Sequence, residues 1–168
     1  LVDYVRSRVD LSNVCMVSPD AGRIRVAEKW SAKLGGCPLA FVHKTRDTTR
    51  PNVAVANRVV GDVAGKQCVM VDDMIDTAGT ISEAVKVVMN AGASSVIVAA
   101  THGILSDPAA QRLSECGAQE VIVTDTLPIA LEKRFDNLTI LPIAPLLARA
   151  IREVFDDGSV TSLFDGVA

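Results

Sequence analysis

Aromatic side chains are scarce, at 4 % of the 168 residues. A core must then be built from Val, Ile, Leu and Ala, the usual filling of a sheet buried on both faces. Hydrophobic residues reach 49 %, which argues against a disordered chain and suits one domain with a single core. A basic excess is missing too. The net charge is −3, so nothing here neutralises a nucleic-acid backbone. No apolar run approaches the roughly 18 residues of a membrane helix. The first residues show no charged start followed by an apolar stretch, so no signal peptide is expected. Cys15, Cys37, Cys68 and Cys116 are too widely spaced in sequence for a zinc knuckle or a CxxC pair. They are expected to be small buried thiols in a reducing cytoplasm.

What is present alternates. Val14 to Ser18, Leu39 to Val42, Val69 to Val71, Val96 to Ala100, Val121 to Val123 and Leu138 to Leu141 read as strands. Between them lie helical patterns. Val26, Ala27, Trp30 and Leu34 share one face, closed by Gly35-Gly36. Ile81, Ala84, Val85, Val88 and Met89 share another, and Gly92 supplies its stop. Pro108 opens a helix that ends near Gly117, and a last one spans Pro142 to Val154. Residues 43–57 are polar and read as a long mobile loop or a β-ribbon. Leu1 to Arg6 reads as a piece of amphipathic helix, and the absence of an initial Met points to a segment of a longer polypeptide. The alternation predicts an α/β fold: a Rossmann-like, open, mainly parallel sheet with helices on both faces.

The chemistry concentrates in Asp72-Asp73-Met74-Ile75-Asp76-Thr77-Ala78-Gly79-Thr80. In open parallel sheets, ligands bind beyond the carboxyl ends of the strands. Two adjacent carboxylates there cannot be buried unpaired, so they must meet solvent, a cation or hydroxyl groups. Ribose hydroxyls suit an ionised carboxylate, which only accepts. The following Asp76 to Thr80 runs straight into a helix, whose first amides are unpaired and attract phosphate. Gly79 permits close backbone approach, and Thr77 and Thr80 add hydroxyls. Together these describe a sugar-phosphate site. A plainer reading makes Asp76 or Thr77 an ordinary helix cap.

The nine-residue string resembles the PRPP-binding signature of type I phosphoribosyltransferases. In its form it is most similar to that of the ribose-phosphate pyrophosphokinase family. Val17-Ser18-Pro19-Asp20-Ala21-Gly22, Lys44-Thr45-Arg46 with Arg50-Pro51-Asn52, Thr101-His102-Gly103 with Leu105, Ser106 and Pro108, and the tail Ser159 to Phe164 resemble further segments of that family. The resemblance covers nearly all of residues 1–168 but only the C-terminal, phosphoribosyltransferase-like half of the two-domain family enzyme. It implies transfer of the diphosphoryl group of ATP to O1 of ribose 5-phosphate, with Mg2+ as cofactor, in a cytoplasmic hexamer. By the same resemblance Asp72 holds the ribose hydroxyls. Asp76, Thr77, Ala78, Gly79 and Thr80 cradle the 5-phosphate. Lys44 and Arg46 are catalytic, with Arg46 also touching substrate, and Asp20 is a magnesium ligand. Ser159, Thr161 and Phe164 are candidates for an allosteric nucleotide or phosphate. His102 is either a hydrogen-bonded strand-end histidine or a group close to the sugar, and His43 has no assigned role. The family's ATP-base contacts and a second, histidine metal ligand lie in its other half. These residues alone are therefore expected to bind ribose 5-phosphate without turning it over. Two alternatives remain open from sequence: a phosphoribosyltransferase using PRPP, and a non-catalytic homologue that regulates the synthetase. Neither nucleic acid nor membrane is an expected partner.

Overall fold

The computed structural model describes residues 1–44 and 57–164. In chain order they form α1 (Val2–Arg8), β1 (Val14–Ser18), α2 (Ile24–Lys33), β2 (Leu39–Lys44), β3 (Asn57–Val60), β4 (Gln67–Ile75), α3 (Gly79–Asn90), β5 (Ser95–Gly103), α4 (Ala109–Glu115), β6 (Glu120–Thr124), β7 (Leu138–Leu141) and α5 (Ala144–Phe155). The strands make one sheet in the order β3-β2-β1-β4-β5-β6-β7. All its pairings are parallel except β2 with β3. The chain moves outward from β1 to β2, then returns to place β4 on the other side of β1. The reversal opens a crevice between the carboxyl ends of β1 and β4, the position where such sheets bind ligands.

Both sheet faces are covered, as the uniform apolarity of the strands predicts. Side chains alternate along each strand. Cys15, Val17, Cys68 and Met70 face α3 and α4, where they meet Val85, Val88 and Leu113. Val14, Met16, Val69 and Ile97 turn to the opposite face, toward Val5 of α1 and Ala27 and Leu34 around α2. All four cysteines are buried and free. Register brings Cys15 opposite Cys68, a pairing invisible in their sequence spacing. The contact with Cys15, then burial, push the Cys68 thiol up, so it stays a neutral core group.

The structure lengthens four of the expected strands, β2, β4, β5 and β6. β4 was expected to end at Val71, where its apolar run stops. It continues through the two aspartates to Ile75, because β5 is equally long and pairs with it to Ile75↔Gly103. Backbone pairing outlasts side-chain hydrophobicity there. The ribbon reading of residues 43–57 holds at its ends, where Lys44 pairs with Asn57; residues 45–56 lie outside the described residues. The last helix forms as expected, yet none of its residues is buried.

Glu120 was not singled out from sequence. It is 6 % exposed at the start of β6. Tyr4 Oη donates to its Oε1 at 2.7 Å, Thr139 Oγ1 to the same oxygen at 2.6 Å, and Arg8 Nε to Oε2 at 3.1 Å. This one carboxylate ties α1, β6 and β7 together. Burial opposes its charge, but Thr139, Tyr4 and Arg8 outweigh burial and hold its pKa below the usual 4.5. A depressed pKa stabilises the fold above the unfolded-state value and loses that contribution as pH falls through the folded-state value. Glu120→Ala should therefore lower unfolding free energy at neutral pH by about 2–4 kcal/mol. The gap to wild type should shrink in acid below pH 4.5. Urea titrations at several pH values measure both, and an undiminished gap in acid would refute the electrostatic part.

Candidate active site

The crevice is built from three segments that β1, β4 and α3 bring together. A cavity of about 180 Å3 is lined by Asp72, Met74, Ile75, Asp76, Thr77, Ala78, Gly79, Thr80 and Ile81. It is smaller than the roughly 300 Å3 at which drug-sized sites begin, and it suits a small polar group. Its lining is the string singled out in the sequence except Asp73, with Ile81 added from the start of a 12-residue helix.

The helix entrance bears on whether Asp76 or Thr77 acts as a plain cap. No side chain caps α3. Asp76 and Thr77 leave its first amides to other partners, and both are exposed. Uncapped amides at a helix start carry partial positive charge and bind anions. Close approach of the backbone was expected from Gly79. The left-handed residue is in fact its neighbour Ala78, at φ 59° and ψ 11°. Ala78 is also buried in the core, so packing holds a conformation that alanine seldom adopts. Gly79 itself has open space, and a Cβ there would meet only Arg112 Nη1, at 3.5 Å. Arg112, from α4, donates to the Thr77 carbonyl at 2.9 Å. It thereby fixes the loop from outside, a role with no sequence signal because its partner is a backbone oxygen.

The carboxylate side carries a cation that sequence reasoning missed. Arg23 Nε lies 3.0 Å from Asp72 Oδ1, and Arg23 Nη2 lies 2.6 Å from Asp73 Oδ1. Burial pushes the Asp72 carboxyl up from its ordinary range. Burial also opposes the charge on Asp73, yet Arg23 and the neighbouring groups outweigh it and hold Asp73 low. The pair is thus unequal, with the charge favoured on the outer member.

Asp20 follows β1 at the same crevice. Its Oδ1 accepts the Gly22 N–H at 2.8 Å and caps the short 3-10 turn Ala21–Arg23. No cluster of three or more metal-ligating side chains occurs among the described residues. Magnesium does not require one, because it takes one or two carboxylates and completes its shell with water and phosphate oxygens. A single aspartate with one oxygen outside the Gly22 contact fits that habit.

His102 lies beside Met74 in the register, and its Nδ1 is 2.9 Å from Thr126 Oγ1. The hydroxyls of Thr124 and Thr126 both point their donors at the Thr101 carbonyl. Thr124 Oγ1 also lies 3.1 Å from Thr126 Oγ1, so His102, Thr126, Thr124 and the Thr101 carbonyl form one hydrogen-bonded group. The contact fits the strand-end reading of this histidine. Lys44 ends β2 at the same sheet edge, while Arg46 lies outside the described residues. Ser159 and Thr161 pair their hydroxyls at 2.5 Å on the tail, where residues 160–164 form a 3-10 turn packed near α5.

Comparison with known proteins agrees with the fold. The family model for the phosphoribosyl synthetase-associated domain matches residues 13–165. The chain is 70 % identical over 167 residues to a ribose-phosphate pyrophosphokinase of Bifidobacterium longum, covering 98 % of this chain and 49 % of that protein. It is 64 % identical over 168 residues to one from Mycobacterium tuberculosis, covering 100 % of this chain and 52 % of that protein. The chain therefore spans about half the length of the curated relatives it matches. Among solved structures, phosphoribosylpyrophosphate synthetase from Mycobacterium smegmatis superposes with a TM-score of 0.83 at 58 % identity, over 94 % of this chain and 50 % of that one. Orotate phosphoribosyltransferase from Aeropyrum pernix shares the fold, with a TM-score of 0.54 at 16 % identity over 88 % of this chain and 73 % of its own.

Proposed function

Because the chain belongs to the phosphoribosyl synthetase-associated domain family, we propose that it supplies the ribose 5-phosphate side of an enzyme making PRPP and AMP from ATP and ribose 5-phosphate. One observation carries the reading: an uncapped helix start opens into a carboxylate-walled cavity at the sheet's switch point. Phosphate and sugar hydroxyls are the two halves of a ligand that fits both walls.

In this reading the amides and hydroxyls from Asp76 to Thr80 hold the 5-phosphate. Asp72 accepts hydrogen bonds from the ribose hydroxyls and orients the ring. O1 then gives up its proton to water and forms a bond to the β-phosphorus of ATP, the bond from that phosphorus to the bridging α-phosphate oxygen breaks with its electron pair staying on that oxygen, and AMP leaves. Charge moves onto the transferred group and the departing oxygen, so the protein's task is to position and neutralise. Lys44 and Arg46 are assigned that task. Magnesium held with the help of Asp20 would supply charge neutralisation on the phosphate oxygens.

Self-association belongs to the same proposal. Leu147, Ile151, Val154 and Phe155 of α5 are 52, 69, 66 and 88 % exposed. An apolar helix face of this kind marks a contact surface. In the full assembly Ser159, Thr161 and Phe164 are assigned to a regulatory phosphate or nucleotide. We place the protein in the cytoplasm, where free buried thiols persist. No helix among the described residues is long and apolar enough to cross a membrane.

Calorimetric titration of the 168-residue chain with ribose 5-phosphate tests the site. Saturable binding displaced by inorganic phosphate is expected, and its absence would overturn the reading. In a protein of the relatives' full length, label should exchange between AMP and ATP only with ribose 5-phosphate present. Exchange without the sugar would rule the reaction out.

A further inference from the structure

Asp72 and Asp73 are consecutive residues of β4. The pleat of a strand sends consecutive side chains to opposite faces, and two carboxylates repel each other. Neither fact favours a site in which both serve one ligand. Yet both meet a single guanidinium, Arg23, which reaches them from the turn after β1 on the far side of the crevice. Its planar fork presents Nε to one and Nη2 to the other.

The contacts share a further property. Arg23 touches Oδ1 of Asp72 and Oδ1 of Asp73. The Asp73 N–H donates at 2.9 Å to Oδ1 of Asp72, and the Met74 N–H donates at 2.8 Å to Oδ1 of Asp73. Among the described residues, the contacts of Arg23 and of the two backbone amides all end on Oδ1, and the two carboxylate side chains also meet each other. A carboxylate has room for about four acceptor contacts, so the second oxygen of each keeps its capacity for hydroxyl donors.

We propose that Arg23 is a positioning residue of the sugar side of the site: it draws Asp72 and Asp73 to one cation and holds their Oδ1 atoms, so that their other oxygens serve a ligand's hydroxyl groups. This rests on the ribose 5-phosphate reading above. The alternative geometry, in which Arg23 competes with the ligand for the carboxylates, predicts the opposite change in affinity.

Inorganic phosphate and ribose 5-phosphate separate the two walls of the cavity. Phosphate probes the helix start alone, whereas the sugar phosphate engages both. The 168-residue chain and its Arg23→Ala and Arg23→Lys variants are titrated with each, and thermal unfolding checks the fold of all three. Arg23→Ala should weaken ribose 5-phosphate about tenfold and leave inorganic phosphate unchanged. Arg23→Lys, which keeps the charge without the fork, should fall between. The selectivity ratio is the informative quantity, because a merely structural role would weaken both ligands together. Equal weakening of both, an unchanged ratio, or tighter sugar-phosphate binding by Arg23→Ala would each overturn the proposal. If wild type binds phosphate but not ribose 5-phosphate, the underlying reading fails first and takes this one with it.

Discussion

Ala78→Val is expected to abolish saturable ribose 5-phosphate binding and to lower unfolding free energy by about 3 kcal/mol. Ala78 sits at φ 59° immediately before α3 and is 6 % exposed. The left-handed region costs an ordinary L-residue about 1–2 kcal/mol, and a β-branched side chain fits it worst. The added methyl groups must also find room among core neighbours, at a further cost of about 1–3 kcal/mol. The chain can relieve this strain only by rotating the Ala78 backbone. That rotation swings the first amides of α3 away from the cavity they line. Ala78→Gly is the control, since glycine adopts this conformation freely. It should keep binding and stay within about 1 kcal/mol of wild type. Denaturant titration and calorimetry on the three proteins measure both effects. Normal binding by the valine variant would mean that the helix start is not the phosphate site.

Lys44→Ala should slow diphosphoryl transfer about 10²–10³-fold in a protein of the relatives' full length, the usual effect of removing one preorganised donor from such a site. The placement of its backbone supports this. β2 runs parallel to β1, so its end at Lys44 opens on the edge that also carries Asp20 and the Asp72 loop. Its assigned partner is the group in flight, which gains charge only at the transition state. The loss should therefore appear in kcat, with little change in KM for ribose 5-phosphate. A raised KM with kcat intact would move Lys44 into ground-state binding, and an unchanged rate would remove it from the mechanism.

Much of this site was legible in the linear chain because its parts are contiguous. The half proposed to hold phosphate is a strand end, a turn and a helix start within nine residues, and each element has its own local signal: apolar run, small residues, helical periodicity. The position of Asp20 beside the crevice was legible for the same reason, next to the end of β1. The residues that escaped are those whose partners are distant. Arg23 meets Asp72 and Asp73 across some fifty positions, and Arg112 reaches the Thr77 carbonyl across thirty-five. A charged residue on an exposed turn or helix gives no hint of such a partner, since most such residues face water. Glu120 escaped similarly, as a carboxylate at the edge of an apolar run whose three donors come from α1, α1 again and β7.

By itself the sequence determined the α/β class, most of the helices and strands, the buried state of the cysteines and the string that, Asp73 apart, lines the cavity. Hydrophobic period and local turn chemistry act over a few residues, so they can be read along the chain. Only the tertiary structure decided the strand order, and with it the crevice between β1 and β4. It also extended β4 past its apolar run, put Ala78 in the left-handed region, and set Arg23 between the two aspartates. Each depends on which distant backbone packs alongside, a choice made by the burial of both sheet faces at once and written in no single stretch of the chain.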